Sequence, residues 1–147
     1  MKTDLTRLKN LFETAGIKLT QQRIEVFREV LAARDHPSAE TIHKRLLPTL
    51  PSLALDTVYR TLATFTELGI ITRLNLNGDK TLFDANSEPH HHFVCTQCKG
   101  IQDVSWPDFD STPLPDTLKP SGEIRSRHIE FRGLCNRCKA TEIQEHR

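Results

Sequence analysis

Residues 54–84, ALDTVYRTLATFTELGIITRLNLNGDKTLFD, decide the fold of the first half of the chain. Their apolar side chains recur at intervals of three and four residues, at Val58, Leu62, Phe65 and Leu68. This spacing predicts an amphipathic helix, and Gly69 supplies its C-terminal stop. Two β-prone runs then flank Asn77-Gly78, and such a pair is a strong hairpin signal. The stretch therefore predicts a helix followed by a β-hairpin.

Three further helices are predicted upstream of this stretch. The first rests on apolar residues at helical spacing, Leu5, Leu8, Leu11 and Phe12. Thr20 and Ser38 are predicted N-caps of the second and third helices, which should stop near Asp35 and at Pro48. Short helices followed by a hairpin form the winged helix-turn-helix pattern, in which the last helix enters the major groove. A generic small helical domain is the alternative.

The character of the chain changes after Asp84, where a polar, turn-prone stretch predicts a hinge between domains 1–84 and 85–147. Strands are predicted within residues 91–96, 100–106 and 125–135. Four prolines within residues 107–120 argue against a long helix there. The expected fold class is α+β, a winged helix-turn-helix domain followed by a small α/β dimerisation domain.

Composition narrows the class of protein. Hydrophobic residues make up 37% and charged residues 27% of the 147 residues, which is typical of a soluble globular protein. Residues 1–83 carry 12 Lys+Arg against 9 Asp+Glu, whereas residues 84–147 carry 8 against 10. The first residues lack the apolar core of a signal peptide, and no long apolar run is present, so a cytoplasmic protein without membrane partners is expected.

The four cysteines form two C-x-x-C pairs separated by 36 residues, Cys95/Cys98 and Cys135/Cys138. Each pair places two thiolates on one tight turn, and two such turns complete a tetrahedral zinc site with no open position. A small domain with few large apolar residues needs an additional source of stability, and a structural zinc ion provides one. A redox-active dithiol and an iron–sulfur cluster are the alternatives.

Three histidines precede the first cysteine pair in HHHFVCTQC, residues 90–98. On a strand, His90 and His92 project from one face and His91 from the other. Asp84 and Asp103 are the nearby carboxylates, and imidazole with carboxylate favours iron, manganese or zinc over copper. The alternative is that the histidine run is a solvated loop.

Taken in order, several motifs resemble the ferric uptake regulator family: TVYRTL at 57–62, LGII, the hairpin, FD, HHHFVC-x-x-C and the final C-x-x-C. The resemblance runs from about Leu19 to Cys138 and is closest to the peroxide-sensing branch. It implies a homodimeric, metal-dependent transcriptional repressor. The first domain would bind palindromic double-stranded operator DNA, and the second would dimerise and carry the zinc.

The resemblance also implies a regulatory Fe²⁺ or Mn²⁺ site that bridges the domains. The family's ligands fall on five residues of this chain: His36, Asp84, His90, His92 and Asp103. The iron-uptake branch usually has glutamate where this chain has the two aspartates, which favours peroxide sensing by oxidation of His36 or His90. An iron or zinc uptake regulator without peroxide sensing is the alternative. The alternative interpretation of His36 is that it is simply a helix-terminal residue before Pro37, with no role in metal binding.

For DNA, the resemblance places Thr57, Tyr59 and Arg60 on the recognition helix. Tyr59 would touch thymine methyl groups, and Arg60 a base edge or a phosphate. Gln22 and Arg23, at the start of the second helix, are expected phosphate contacts. The alternative interpretation of Tyr59 is a structural one, in which it is a half-buried aromatic residue that packs on the helix and does not contact DNA.

The chain also departs from the family pattern. Ala54 and Asp56 stand where the family often has serine and alanine, and Asp56 is expected to alter operator preference. The proline-rich segment 107–120 replaces an amphipathic helix that contributes to the dimer in many members. A third metal site of some members is degraded here, its positions being Pro89, His91, Asp110 and Arg127. His128 is one residue out of register with the family's histidine, so we include it in no predicted site. We also leave His91 out of both the zinc site and the regulatory site.

Two other functional classes remain open from the residues alone. A metalloenzyme could use a His/Asp site for hydrolysis or oxygen chemistry, and a thiol redox protein could use C-x-x-C. No nucleophile–base pair and no Gly-rich phosphate loop is evident in the sequence. We therefore expect a protein that is not an enzyme and that takes no small organic substrate.

Overall fold

The computed structural model describes residues 4–75, 80–86 and 88–145. The chain forms two compact units, residues 1–88 and residues 89–147. The first unit holds four helices and a two-stranded sheet, and the second a three-stranded sheet with short helices. The expected α+β class is confirmed. Among the described helices, none is long and apolar enough to cross a membrane.

Four helices make up most of the first unit: α1 (Leu5–Ala15), α2 (Gln21–Ala32), α3 (Ala39–Leu46) and α4 (Leu55–Glu67). The Thr20 hydroxyl accepts from the Arg23 N–H at 3.3 Å, and the Ser38 hydroxyl accepts from the Thr41 N–H at 3.3 Å. Each hydroxyl satisfies a backbone donor that the first helical turn leaves open. Both predicted N-caps are confirmed.

Helix α4 ends at Glu67, and Gly69 lies just beyond its C-cap as the stop that the sequence predicts. Gly69 adopts a left-handed φ of 70°, which lets the Ile70 N–H reach back to the Phe65 carbonyl at 2.9 Å. At the other end, Ala54 provides no side-chain cap. Alanine at this position, where the family that the sequence resembles often has serine, leaves the start of α4 without a hydroxyl acceptor.

The wing consists of β1 (Thr72–Leu74) and β2 (Leu82–Asp84), which pair antiparallel. The predicted Asn77-Gly78 turn lies outside the described residues. The segment before α3 joins this pair, since the Phe83 N–H donates to the Pro37 carbonyl at 3.0 Å and Ser38 bridges to Leu82. The hairpin is thereby anchored to the start of α3.

Three phenylalanines form the centre of the first unit's core. Phe65 of α4 meets Phe12 of α1 and Phe27 of α2, each edge to face with ring centroids 5.9 Å apart. All three are at most 1% exposed. Edge-to-face packing adds to the area these rings bury, so the three helices are held around α4.

The second unit is built on β3 (His91–Cys95), β4 (Ile101–Val104) and β5 (Glu130–Gly133). Strand β3 lies in the middle, antiparallel to β4 and parallel to β5. The three predicted strands are confirmed. Between β4 and β5 the chain forms only α5 (Pro107–Ser111) and a 3-10 helix (Asp116–Ser121). The prolines thus exclude a long helix, as predicted.

The longest helix of the second unit, α6 (Asn136–Glu145), was not predicted from the sequence. It begins directly after Cys135, whose sulfur accepts the Cys138 N–H at 3.5 Å. Within its described part, Cys138 is the buried residue. No apolar stripe of the usual period marks this helix in the sequence, because its anchor is a metal-binding motif rather than a core.

Candidate metal centres and nucleic-acid interface

The four cysteines converge at one end of the second unit's sheet. Their sulfur atoms all lie within 4.8 Å of one another, and Cys98 Sγ is 3.9 Å from Cys135 Sγ. In a tetrahedral site with Zn–S bonds of about 2.3 Å, neighbouring sulfurs are about 3.8 Å apart. The four residues therefore fit a zinc ion without rearrangement of the backbone.

Strand pairing explains why the two C-x-x-C motifs meet. Because β3 and β5 run parallel, with Cys95 opposite Gly133, both motifs leave the sheet at the same end. The first motif turns tightly there, with the Lys99 N–H donating to the Cys95 carbonyl at 3.0 Å and Lys99 at a left-handed φ of 63°. Strand pairing and this turn thus bring the two motifs together at one end of the sheet.

Backbone donors already favour thiolates in this cluster. The Cys135 N–H lies 3.4 Å from Cys95 Sγ and is the main cause lowering the pKa of Cys95 to about 6. The Gly100 N–H likewise lowers the pKa of Cys98. The pKa of Cys138 is raised to about 12, chiefly by its hydrogen bond with Cys135. Some of the four cysteines thus favour the thiolate and others the thiol, and a bound metal would displace the protons that remain on the sulfurs.

Two of the five predicted regulatory ligands lie together in the first unit. His36 Nε2 is 3.4 Å from Asp84 Oδ2, and the side chains are 4% and 9% exposed. The pairing of residues 37–38 with β2 brings them together, because Asp84 ends that strand. His36 adopts a left-handed φ of 50°, which is uncommon for a residue other than glycine.

The other three predicted ligands lie together in the second unit. Asp103 Oδ1 is 3.6 Å from His90 Nε2 and 3.4 Å from His92 Nε2. Asp103 stands opposite His92 in the β3–β4 ladder, and the two imidazole centroids are 4.8 Å apart. Two nitrogen donors and one carboxylate therefore face one small volume, a donor set suited to iron or manganese.

His91 points to the opposite face of β3 and is fully buried. Its Nδ1 accepts the Ile129 N–H at 3.1 Å, so its Nε2 carries the proton and donates to Asp110 at 2.8 Å. Arg127 donates nearby to the Phe109 carbonyl at 3.1 Å. Both nitrogens of His91 are therefore engaged in hydrogen bonds within the second unit.

Sequence reasoning set His128 aside, yet the structure places it against a predicted ligand. His128 Nε2 is 2.8 Å from His92 Nδ1. Burial and then the neighbouring His92 and His91 lower the pKa of His128. The parallel register of β5 beside β3 creates this contact, and that register is not visible in the spacing of the histidines.

The candidate DNA-reading side chains of α4 are exposed but engaged within the chain. Tyr59 is 45% exposed, and its hydroxyl donates to the Glu40 carboxylate, which lowers the pKa of Glu40. Arg60 pairs through Nε with Asp56 Oδ2 at 2.9 Å. The exposure of Tyr59 disfavours a half-buried packing role for it.

The remaining candidate DNA contacts differ in how available they are. Thr57 and Gln22 are half-buried near the starts of α4 and α2. Arg23 lies over the Phe12 ring with 5.8 Å to its centroid, and its guanidinium donates to the Lys18 carbonyl. Arg23 thus has a local structural role in addition to any contact with phosphate.

Comparison with known proteins places the chain in a family. The model of the ferric uptake regulator family matches residues 14–119. The peroxide-responsive repressor PerR of Staphylococcus epidermidis is 29% identical over 125 residues, 85% of this chain and 83% of the relative.

Solved structures agree with the family match. The Helicobacter pylori ferric uptake regulator superposes with a TM-score of 0.79 at 23% identity, covering 92% of this chain and 91% of that one. The Francisella tularensis regulator, solved with iron, gives 0.72 at 25% identity, covering 84% and 96%. This chain belongs to the ferric uptake regulator family.

Proposed function

We propose that this protein is a metal-dependent transcriptional repressor that binds palindromic operator DNA as a homodimer and senses peroxide. The observation that carries the proposal is the grouping of imidazole and carboxylate donors in both units. His36 lies against Asp84 in one unit, and His90 and His92 lie against Asp103 in the other. The Staphylococcus epidermidis relative is a peroxide-responsive repressor, which supports the sensing branch.

Zinc is the proposed structural metal, held by Cys95, Cys98, Cys135 and Cys138. Four sulfur ligands fill a tetrahedral shell, so this site keeps no open position for substrate or peroxide. Its role is to hold the ends of β3 and β5 together. This closed donor set also argues against a redox dithiol and an enzyme.

Iron or manganese is the proposed regulatory metal, and its five ligands would be His36, Asp84, His90, His92 and Asp103. The left-handed backbone of His36 supports a role beyond ending a helix, because such a conformation persists only where surrounding structure imposes it. Residues of both units would hold one ion, which would select the orientation of the units that fits an operator.

Bound ferrous iron would supply the one-electron reduction of peroxide that leads to oxidation of an imidazole ligand. His36 and His90 are the proposed targets. An oxidised imidazole loses donor strength, so the remaining ligands would hold the ion less tightly. The protein would then release its operator.

The recognition helix is proposed to be α4, with β1 and β2 as the wing. Tyr59 and Arg60 support this assignment because both are exposed on one helix. Each is engaged with a carboxylate of the first unit, Glu40 and Asp56 respectively. DNA binding would exchange these partners for thymine methyl groups, base edges and phosphates.

The second unit is the proposed dimerisation unit, despite its proline-rich segment. Large apolar side chains are exposed on it: Trp106, Leu114, Ile124 and Phe131. The Trp106 and Phe131 rings lie 6.1 Å apart, so part of this apolar surface is contiguous. A second copy of the chain would cover it.

The second candidate function is an iron or zinc uptake regulator without peroxide sensing. The observation in its favour is that the same imidazole and carboxylate donors, grouped around Asp84 and Asp103, also suit iron or zinc in a site that only binds and releases the metal. The Francisella tularensis regulator, which shares the fold, was solved with iron.

One experiment separates the two candidates. Protein loaded with Fe²⁺ or with Mn²⁺ is exposed to peroxide, and the peptides containing His36 and His90 are weighed by mass spectrometry. A gain of one oxygen with Fe²⁺ only, together with loss of the operator gel shift, is expected. No gain, with metal-dependent DNA binding intact, would favour the uptake regulator.

A further inference from the structure

The contact between His128 and His92 follows from the parallel pairing of β5 with β3. The backbone N–H of His92 donates to the Ile129 carbonyl at 3.2 Å, and this hydrogen bond holds the segment before β5 alongside His92. His128 Nε2 then lies 2.8 Å from His92 Nδ1, and the ring centroids are 5.0 Å apart. The contact is therefore built on backbone hydrogen bonds rather than on a chance side-chain encounter.

This contact distinguishes the two nitrogens of His92. The Nδ1 atom is engaged with His128, while Nε2 faces Asp103 Oδ1 at 3.4 Å. An imidazole that binds a metal through Nε2 must carry its proton on Nδ1, and that proton is normally donated to a nearby acceptor. Here the available acceptor is the Nε2 atom of another imidazole.

We propose that His128 is a positioning residue that accepts the Nδ1 proton of His92 and so presents His92 Nε2 to the regulatory metal. The inference rests on the proposed function, since His92 acts as a ligand only if a metal binds beside Asp103. His128 fixes both the orientation of the His92 ring and the nitrogen it offers. His91 has no such role, because both of its nitrogens bind the protein itself.

The first test reads the tautomer of His92 directly. Long-range ¹H–¹⁵N NMR spectra are recorded on the full chain with its structural zinc retained and no regulatory metal. The wild type and H128Q should hold the His92 proton on Nδ1, because the glutamine amide reaches the place of the imidazole Nε2. H128A should move the proton to Nε2. A wild-type proton on Nε2 would overturn the proposal.

The second test measures affinity for Mn²⁺ by calorimetry on the same proteins. H128A should bind Mn²⁺ about 10–100-fold more weakly than wild type, as found when partners of metal-bound histidines are removed. H128Q should stay close to wild type. Arg125→Ala, an exposed change in the same segment, is the matched control and should not alter affinity.

The outcomes separate this proposal from the proposed function. If H128Q is as weak as H128A, and X-ray absorption counts one imidazole fewer on the Mn²⁺ in both, then His128 is a ligand and the positioning role is wrong. If the wild type binds no Mn²⁺, the proposed function fails. The tautomer test still shows whether His128 accepts the Nδ1 proton of His92. Zinc content and circular dichroism check that each variant is folded.

Discussion

At the residue scale, the regulatory site depends on donors that the fold holds close to carboxylates. His36 is the donor whose removal is most informative, because it lies in the first unit and the zinc cysteines lie in the second. We expect His36→Ala to abolish Mn²⁺-dependent operator binding in gel-shift assays while leaving one zinc per chain by elemental analysis.

The matched control for His36→Ala is a histidine outside the proposed site. His43 lies on α3 in the same unit, and its Nε2 contacts the Leu53 carbonyl at 2.6 Å. His43→Gln should retain Mn²⁺-dependent DNA binding. Unchanged repression by His36→Ala would remove the proposed switch.

A neighbouring carboxylate offers a prediction about pH. Arg45 donates two hydrogen bonds to Asp35, and this contact lowers the pKa of Asp35. A depressed folded-state pKa contributes stability that is present above the unfolded value, about 3.9, and is lost as pH falls through the folded value. Arg45→Gln should raise the pKa of Asp35 toward 3.9, read from its carboxyl ¹³C shift.

The size of this effect on stability should be small. Both side chains are more than a third exposed, so water and salt screen the pair. Arg45→Gln should cost less than about 1 kcal/mol of unfolding free energy at neutral pH. The cost should shrink as the solution is acidified below the unfolded pKa. A cost that stays constant with pH would assign the effect to packing instead.

At the element scale, α2 and α3 of the first unit start at hydroxyl caps. Thr20→Ala removes the acceptor of the Arg23 N–H and should lower the unfolding free energy by about 1 kcal/mol. Thr20→Ser keeps an oxygen in place and should be nearly neutral. Urea unfolding followed by circular dichroism measures both. Equal losses in the two variants would mean that the methyl group, not the hydroxyl, stabilises α2.

The same elements show what a sequence can predict. Thr20, Ser38 and Gly69 act through the residues directly beside them, so their roles were predictable from local sequence. The register of β5 was not, because it depends on pairing between segments far apart in the chain. That register places His128 on His92, and for this reason the contact was missed. Helix α6 was missed because its anchor is Cys138 rather than an apolar stripe.

At the scale of the whole molecule, the two units differ in how they are stabilised. The first has a core of phenylalanines and aliphatic side chains. In the described part of the second, the buried apolar side chains are few: Val94, Cys95 and Cys138. Zinc binding should therefore supply much of the folding free energy of the second unit.

Removal of zinc tests this difference. A strong chelator, or Cys135→Ser, should unfold the second unit and leave the helical signal of the first unit in circular dichroism. Loss of dimerisation, measured by analytical ultracentrifugation, should accompany it. Removal of Mn²⁺ alone with a weak chelator is the control and should leave both units folded. A second unit that stays folded without zinc would refute the structural role.

The parallel pairing of β3 with β5 also orders events during synthesis of the chain. Strands β3 and β4 pair locally as soon as both have left the ribosome, but the second C-x-x-C motif follows the first only after 36 further residues. Non-local pairing is slow because a long loop must close first. The nascent chain therefore exposes Cys95 and Cys98 before Cys135 and Cys138 have been synthesised, and the four-sulfur site can close only after the second pair has emerged.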